Sequence, residues 1–213
     1  MDLQVWSDVV CPWCYLGRRR LDAALARYSG EVTVTYRAFQ LDPSSVPPGL
    51  PLKQAMAAKL GDRARTDQML AHVTALAAGE GLRLDYDRAI AANTFESHRL
   101  IAWAAGQGRQ AEMLDALQRA HFTDGLDVGS PAVLVSVAGA IGLNATAAAA
   151  YLRSEAGTTA VEADLAEARE LGISSVPFFL ADGKYALQGA QEAATLVEAF
   201  EEIARREAVD VGL

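Results

Sequence analysis

The chain has 213 residues, of which 51% are hydrophobic and 22% are charged. This composition is typical of a globular domain with a large core, and it excludes the disordered and low-complexity classes of protein. The formal net charge of −8 argues against nucleic acid as a partner, because phosphate binding relies on a basic surface.

The N-terminus does not have the pattern of a secretory signal, since Met1 is followed at once by Asp2 rather than by a basic start and a long apolar stretch. The longest uncharged apolar run, residues 131–143, is too short to span a bilayer. We therefore expect a cytoplasmic protein with no membrane partner. In that reducing compartment, a close pair of cysteines is more often redox-active or metal-binding than structural.

The N-terminal part has the pattern of a strand, a helix and a second strand. Apolar and polar residues alternate over residues 3–6, which predicts a short strand. The spacing of apolar residues predicts a helix over residues 12–28, and residues 32–39 are β-branched and aromatic, which favours a second strand. A strand–helix–strand unit implies a parallel strand pair with a right-handed crossover.

A proline-rich connection and a long helical block follow. Residues 42–51 hold four of the seven prolines, which predicts a stiff connection. Residues 52–157 are alanine-rich and helical in pattern almost throughout, with no convincing strand. Within this block, Ser130 before Pro131, and also Asn144, are predicted helix N-caps.

The C-terminal part returns to a mixture of helices and strands. Residues 159–162 have the spacing of a capping box, which predicts the start of a helix. The apolar run 173–180 and the short segment 185–188, separated by the hairpin signal Asp182-Gly183, predict two paired strands. A last helix with one apolar face is predicted over residues 190–207.

The motif Cys11-Pro12-Trp13-Cys14 lies between the first predicted strand and the first predicted helix. With Cys11 as the N-cap, Pro12 takes the first helical position, where its missing N–H costs nothing. Cys14 then lies one turn away on the same face, at a separation that a disulfide can bridge. The helix N-terminus stabilises a thiolate on Cys11, so we expect Cys11 to attack in disulfide exchange and Cys14 to resolve the mixed disulfide.

A structural role and a metal-binding role also stay open for the cysteine pair. Free cysteines are often buried for purely structural reasons. A zinc site would need two further ligands from His72, His98 and His121, but none of these histidines has ligand spacing to another. A C-x-x-C motif beside a β-α-β pattern is a specific redox signal, so disulfide exchange is favoured and no metal is expected.

These motifs resemble those of the DsbA-like thioredoxin superfamily, and most closely its cytoplasmic FrnE-like branch, which is related to 2-hydroxychromene-2-carboxylate isomerases and kappa-class glutathione transferases. The resemblance covers nearly the whole chain, and its first and last two blocks are the specific ones. The matching blocks are Ser7-Asp8-Val9-Val10-Cys11-Pro12-Trp13-Cys14-Tyr15-Leu16-Gly17, Phe39-Gln40-Leu41-Asp42-Pro43, Asn93-Thr94-Phe95-Glu96-Ser97-His98-Arg99-Leu100, Phe122-Thr123-Asp124-Gly125, Val176-Pro177-Phe178-Phe179 and Gly189-Ala190-Gln191.

The resemblance implies an α/β protein with a thioredoxin fold and a large all-helical insertion. Residues 1–50 and 157–213 would form a discontinuous thioredoxin-like domain, and residues 51–156 an insertion domain that caps one side of the active-site groove. A proline at the start of a strand has no functional meaning by itself. The resemblance, however, implies that Pro177 forms a cis-proline loop that faces the cysteines and exposes the backbone of Val176 to an extended substrate.

Three departures from the family pattern limit what the resemblance implies. Periplasmic DsbA enzymes usually carry a histidine where this chain has Trp13, so a strongly oxidising potential is not assumed. The isomerases usually have serine in place of Cys11 and use glutathione as a cofactor, so Cys11 argues against their chemistry without excluding glutathione as a redox partner. Some FrnE-like proteins carry further cysteines near the C-terminus, and this chain has none.

Several neighbours of the motif have open roles. Asp8 either helps to move a proton at Cys14 or is a strand-end acid in solvent, and the solvent position is the favoured interpretation. His98 either faces the groove, where it would favour a thiolate, or is a helix histidine with satisfied hydrogen bonds. The run Arg18-Arg19-Arg20 is interpreted as a solvated helix face, and Trp13 as a candidate surface for substrate contact.

The sequence thus predicts a thiol–disulfide oxidoreductase or isomerase that acts on protein or small-molecule thiols and disulfides. No tightly bound cofactor is expected, and glutathione is a candidate redox partner. One alternative is a glutathione-dependent isomerase or transferase for a small aromatic or polyketide-like substrate. Another is a binding module whose helical block holds partner chains. Besides Cys11 and Cys14, the residues predicted to support the site or bind substrate are Pro12, Trp13, Val176, Pro177 and His98.

Overall fold

The computed structural model describes residues 1–61 and 63–210, so the last three residues of the predicted segment 157–213 lie outside the described residues. Within these ranges the chain forms nine helices and one four-stranded sheet. The strands are β1 (Asp2–Ser7), β2 (Thr33–Ala38), β3 (Phe178–Ala181) and β4 (Tyr185–Gln188). The helices are α1 (Pro12–Leu25), α2 (Leu52–Leu60), α3 (Arg63–Gly79), α4 (Phe95–Ala105), α5 (Gln110–Phe122), α6 (Pro131–Ala140), α7 (Ala145–Arg153), α8 (Thr158–Glu170) and α9 (Ala193–Asp210).

The sheet joins the two ends of the chain. Its strand order is β2-β1-β3-β4, with β1 parallel to β2 and antiparallel to β3. The parallel pair around α1 and the C-terminal hairpin are therefore confirmed. Asp182 and Gly183 connect the hairpin with positive φ angles of 50° and 68°, a backbone conformation that these two residue types tolerate.

The start of α8 differs from the prediction. The helix begins at Thr158 with Gly157 as its N-cap, so the capping box predicted for Thr159 and Glu162 is wrong. Gly157 has a φ of 78°, and a Cβ there would collide with the hydroxyl of Tyr151. A tight turn that only glycine can make therefore fixes the helix start, and this turn depends on a neighbouring helix rather than on the local pattern.

The two N-caps predicted within the helical block differ in their hydrogen bonds. Asn144 caps α7, since its side chain accepts a hydrogen bond of 2.9 Å from the backbone N–H of Ala147. Ser130 precedes α6, which begins at Pro131 as predicted, but its side chain makes no capping hydrogen bond. Proline at the first helical position defines that end without the serine hydroxyl.

One continuous apolar core joins the sheet to the helical block. It includes Leu3 and Phe179 from the sheet, Leu100 and Leu117 from α4 and α5, and Phe200 from α9. The core therefore crosses the boundaries at residues 50 and 157, and the division into two domains stays a prediction. None of the described helices combines the length and the apolarity needed to cross a bilayer.

Side chains from α5 and α8 form hydrogen bonds with the backbone at the outer edge of β2. The amide of Gln110 in α5 donates to the carbonyl of Tyr36 at 2.9 Å and accepts from the N–H of Tyr36 at 3.0 Å, as a neighbouring strand would. Asp164 of α8 accepts from the N–H of Ala38 at 2.9 Å and pairs with Arg37. A strand edge bound in this way cannot add another chain at these positions.

The run Arg18-Arg19-Arg20 is not a solvated face. The side chains of Arg18 and Arg20 are buried. Arg18 pairs with Asp115 of α5, and Arg20 pairs with Glu80 after α3 at 3.0 Å. The interpretation as a solvated face is wrong for these two residues, because carboxylates from distant segments meet them on the buried side of α1.

Arg99 of α4 is a buried cation surrounded by backbone carbonyl groups. Its guanidinium donates to the carbonyls of Tyr151, Ser154 and Ala156, and it pairs with Glu96 at 2.7 Å. The last carbonyls of a helix have no intrahelical partner. Arg99 therefore caps the end of α7 from a neighbouring helix and holds the connection to α8.

Candidate active site

Cys11 and Cys14 lie at the start of α1, as the sequence predicts. Cys11 is the N-cap, with extended backbone angles of −92° and 113°, and Pro12 follows at the first helical position. The backbone N–H groups of Cys14 and Tyr15 both donate to the carbonyl of Cys11 at 3.1 Å, which closes the first turn. Both thiols are free, and the helix end directs its unpaired N–H groups toward this segment.

Both cysteines are buried, with Cys11 4% and Cys14 2% exposed. They differ in that Cys11 lines a pocket of about 450 Å³, whereas Cys14 does not. Burial raises the pKa of Cys14 well above its ordinary value, and contact with Cys11 raises it further. The Ser7 hydroxyl and the Asp8 backbone amide lower that pKa, but burial outweighs them. The structure thus holds Cys14 as a protonated thiol beneath a cysteine that lines the pocket.

The loop before β3 faces Cys11. The Val176–Pro177 peptide bond is cis, and the Cys11 Sγ lies 3.7 Å from the carbonyl oxygen of Val176. The loop packs closely on α1 at Gly17, where a Cβ would lie 2.8 Å from the Cγ of Pro177. Sequence reasoning did not single out Gly17, although a glycine inside a helix is itself a signal of close packing.

The pocket beside Cys11 is mainly apolar. Trp13 lines it from α1, and residues 174–176 line it from the cis-proline loop. Its two charged residues, Asp42 and Lys59, pair with each other at 2.9 Å. The opposite wall belongs to the proline-rich connection and to α2 and α3, and its large apolar side chains include Leu41, Val46, Leu52, Met56, Met69 and Val73.

The apolar wall of this pocket reaches the protein surface. Leu41 and Met69 are 45% and 41% exposed, and both line this pocket. A concave site with exposed apolar groups is typical of ligand binding. Hydrogen bonds from Ser44 and Lys59 lower the pKa of Asp42 to about 2, so the charged pair at the wall stays ionised at neutral pH.

Asp8 is buried, and its interpretation as a strand-end acid in solvent is wrong. It is 0% exposed, and its Oδ2 accepts a hydrogen bond of 2.8 Å from the N–H of Leu41. Its Oδ1 lies 3.4 Å from the Nε2 of His98. The sequence around Asp8 could not predict this burial, because both neighbours come from segments far along the chain.

His98 is also buried, and it lies away from the pocket beside Cys11. Its Nε2 is 2.9 Å from the carbonyl oxygen of Phe39, and since a carbonyl only accepts, this nitrogen carries the proton. The ring lines a separate cavity of about 260 Å³ together with Ser7. The role of His98 in substrate binding stays a prediction.

Sequence reasoning missed several buried polar side chains that have no partner. The side chains of Ser7, Gln118 and His121 make no hydrogen bond among the described residues. Burial lowers the pKa of His121 to about 4, although the charge of Asp8 acts in the opposite direction. The described residues include no group of three or more histidine, cysteine or acidic side chains placed to hold a metal ion.

Comparison with known proteins assigns the chain to a family. The family model of the DSBA-like thioredoxin domain matches residues 2–201. The chain belongs to the DsbA-like thioredoxin family. The solved structure of a probable DsbA oxidoreductase from Streptomyces coelicolor is 35% identical over 95% of this chain and 89% of that chain, with a TM-score of 0.88. No curated protein sequence matches at a significant level.

More distant structures share the fold of this DsbA-like chain. A 2-hydroxychromene-2-carboxylate isomerase is 19% identical over the full length of both chains, with a TM-score of 0.71. The cytosolic disulfide reductase DsbM from Pseudomonas aeruginosa is 21% identical over 97% of this chain and 99% of that chain, with a TM-score of 0.67. The predicted resemblance and the predicted thioredoxin fold with a helical insertion are therefore confirmed.

Proposed function

We propose that this DsbA-like protein is a thiol–disulfide oxidoreductase that exchanges electrons through Cys11 and Cys14. One observation carries the proposal: Cys11 opens onto a pocket at the N-terminus of α1, with the cis-proline loop 3.7 Å away and Cys14 buried behind it. A nucleophile that lines a pocket and a second thiol directly behind it are the two parts that the exchange reaction needs.

In the reducing direction, the Cys11 thiolate attacks one sulfur of a substrate disulfide. The bond between the two substrate sulfurs breaks, and one half leaves as a thiolate. Cys14 then loses its proton and attacks the Cys11 sulfur, so that the Cys11–Cys14 bond forms and the second half leaves. The substrate gains two electrons, and the cysteine pair loses them. The reverse sequence oxidises a dithiol.

The walls of the pocket favour substrates with an apolar group next to the reacting sulfur. Trp13 and Pro12 flank Cys11, and the apolar side chains of α2 and α3 lie opposite. Residues 174–176 form the third side, and we propose that the Val176 backbone pairs there with an extended peptide held by the cis-proline loop that includes Pro177. Burial of one large apolar side chain in this pocket contributes about 2 kcal/mol to binding.

We propose that glutathione reduces the Cys11–Cys14 disulfide and so regenerates the two free thiols. Two molecules reduce the Cys11–Cys14 disulfide and leave as glutathione disulfide, so no tightly bound cofactor is needed. The structure of DsbM, described as a cytosolic disulfide reductase, has also been solved with GSH, which supports this proposal and a reducing cytoplasmic setting. The charges of Asp42 and Lys59 satisfy each other, which favours transient rather than tight binding of glutathione.

Cysteine variants test the assignment of roles. The wild type is expected to form an internal disulfide when it is incubated with a peptide disulfide, and Cys14→Ser is expected to accumulate a mixed disulfide on Cys11. Cys11→Ser is expected to form neither product, because Cys14 does not line the pocket. Mass spectrometry after alkylation measures all three species. Full turnover by Cys11→Ser would contradict the mechanism.

A redox titration tests the direction of the reaction. The fraction of free thiol is measured in glutathione buffers of different poise. An equilibrium potential near the value of thioredoxin, about −270 mV, indicates a reductase, and a value well above the cytosolic poise indicates an oxidant or isomerase. If glutathione binds and no disulfide forms at any poise, a glutathione-dependent isomerase or transferase replaces the proposal.

A further inference from the structure

Two walls of the pocket beside Cys11 come from distant parts of the chain. Residues 69, 70 and 73 of α3 line one wall, and residues 174–176 of the cis-proline loop line another. The distance between these segments in the folded protein sets the width of the pocket. Because they are far apart in the sequence, that distance depends on contacts made behind the pocket.

Arg20 of α1 is a buried cation that contacts the supports of both walls. Its Nε donates to the Glu80 carboxylate at 3.0 Å, and its Nη1 donates to the carbonyl of Ala190 at 2.8 Å. Its Nη2 pairs with Glu192. One guanidinium thus joins a residue that follows α3 to residues that follow β4.

Glu80 connects Arg20 to the apolar wall. It directly follows α3, and it lies about two helical turns beyond Val73, which lines the pocket. Its backbone N–H donates to the carbonyl of Ala77 at 3.0 Å, so the end of the helix and Glu80 are held together. The ion pair between Glu80 and Arg20 therefore fixes the end of α3 against α1.

The segment after β4 connects Arg20 to the cis-proline loop. The N–H of Gly189 donates to the carbonyl of Pro177 at 2.9 Å, and the amide of Gln188 donates to the hydroxyl of Ser175. Gly189 has a φ of 80°, a conformation that favours glycine, so the chain turns there toward Ala190. Since Ser175 lines the pocket, a contact that fixes this segment also fixes the loop.

We propose that Arg20 sets the width of the pocket by joining its two walls from α1, and that it thereby determines which disulfides the pocket accepts. This inference rests on the proposed function, in which Cys11 attacks a disulfide held in the pocket. Arg20 is not among the residues that line the pocket, so it is a positioning residue. A guanidinium suits this role because its planar fork offers donors in several fixed directions.

The contacts of Arg20 differ in their importance for the width. The side chain of Glu192 is 64% exposed, so water can replace it as a partner of Arg20. The side chain of Glu80 is 30% exposed, and it is the carboxylate that belongs to the α3 side. The carbonyl of Ala190 holds the loop side. The two contacts that join the walls are therefore those with Glu80 and Ala190.

The width of the pocket affects large and small substrates differently. A peptide disulfide with a large apolar group fills the space between α3 and the cis-proline loop, and it loses contact with one wall when the walls separate. Cystamine, a small disulfide, reaches Cys11 without filling that space. The ratio of kcat/KM for the two substrates therefore reports the width, whereas a smaller folded fraction lowers both values equally.

Arg20→Met tests the inference. Methionine is long and flexible enough to fill the site, but it makes none of the polar contacts. We expect KM for the apolar peptide disulfide to rise at least about fivefold, the effect of losing half of the apolar contact of one large side chain, while kcat/KM for cystamine stays within about twofold. Arg20→Lys keeps the charge without the planar fork and is expected to recover part of the selectivity.

Arg18→Met is the matched control. Arg18 is a second buried arginine of α1, but its partners Asp22 and Asp115 do not line the pocket. We expect Arg18→Met to lower the free energy of unfolding, as Arg20→Met does, and to keep the wild-type ratio of kcat/KM for the two substrates. Urea unfolding and steady-state kinetics measure both quantities.

Glu80→Ala breaks the contact with α3 and leaves the buried arginine in place. We expect this variant to lose selectivity for the apolar peptide disulfide in the same direction as Arg20→Met. Glu192→Ala is its control and is expected to keep the selectivity, because the carbonyl of Ala190 still holds the loop side. If Arg20→Met does not fold, this pair decides the question alone.

The outcomes distinguish the two proposals. An unchanged ratio of kcat/KM in Arg20→Met or in Glu80→Ala overturns the role of Arg20 and leaves the proposed function standing. An equal fall for both substrates in Arg20→Met also overturns it, because that result shows a structural role, and so does an equal loss of selectivity in Arg18→Met. If the wild type forms no mixed disulfide with either substrate, the proposed function fails first.

Discussion

Gly17→Ala tests the close packing of α1 against the cis-proline loop. Gly17 lies inside α1, where alanine normally stabilises a helix by about 1 kcal/mol relative to glycine. The structure predicts the opposite sign. The added Cβ would lie 2.8 Å from the Cγ of Pro177 and 3.5 Å from the Cα of Ala190.

The magnitude follows from the two opposing effects. A contact of 2.8 Å forces the backbone of the loop or of α1 to move, and overpacking of this kind costs about 1–3 kcal/mol. After the helix propensity is subtracted, we expect Gly17→Ala to lower the free energy of unfolding by about 1 kcal/mol. The loop carries Val176, so we also expect slower attack by Cys11 on a peptide disulfide.

Gly139→Ala is the matched control. Gly139 lies within α6, and a Cβ there would meet the Cβ of Ala145 at 3.6 Å, an ordinary contact. We expect this variant to gain up to about 1 kcal/mol and to keep wild-type kinetics. Urea unfolding and stopped-flow kinetics measure both quantities. If Gly17→Ala is stabilised as much as Gly139→Ala and reacts at the wild-type rate, close packing at Gly17 is refuted.

Three further predictions concern pH, the buried arginine and the pocket. The pKa of His121 is lowered to about 4 by burial, so the unfolded chain binds a proton between pH 6.5 and 4 that the folded protein does not. The folded protein therefore loses stability as the pH falls through this window. His121 accounts for about 2 kcal/mol of the loss between pH 7 and pH 4.5, and we expect His121→Leu to remove it when urea unfolding is measured at both pH values. Arg99→Leu leaves the carbonyls after α7 unpaired and is expected to cost about 3 kcal/mol, whereas the exposed control Arg169→Leu is expected to stay within about 0.5 kcal/mol. Met69→Glu places a charge in the apolar pocket, and we expect it to raise KM for an apolar peptide disulfide at least severalfold. The free energy of unfolding is expected to change little. An unchanged KM would show that the substrate binds elsewhere.

The redox motif and the sheet could be predicted because their signals are local. The position of Cys11 and Pro12 at a helix start depends on residues that are neighbours in the chain, and the hairpin depends on Asp182-Gly183. The apolar face predicted from helix spacing for residues 190–207 lies in the core, where Leu196 and Phe200 of α9 are buried.

The burial of charged groups could not be predicted, because it depends on partners that are distant in the sequence. Asp8 is covered by Leu41 and His98, and Arg18 by Asp115. A local window that contains only one member of each pair indicates a solvated charge. The capping box failed for the same reason, since Tyr151 lies outside the window that defines it.

The contact between Cys11 and the Val176 loop also determines when the reactive centre can form during translation. The two residues are 165 positions apart, and β1 pairs with β3 through Leu3 and Ala181. A ribosome that has made β1, α1 and the whole helical block has therefore not yet supplied the loop that faces the nucleophile. The complete reactive centre arises only after Val176 and β3 have been made, so a shorter nascent chain carries Cys11 without the loop that faces it.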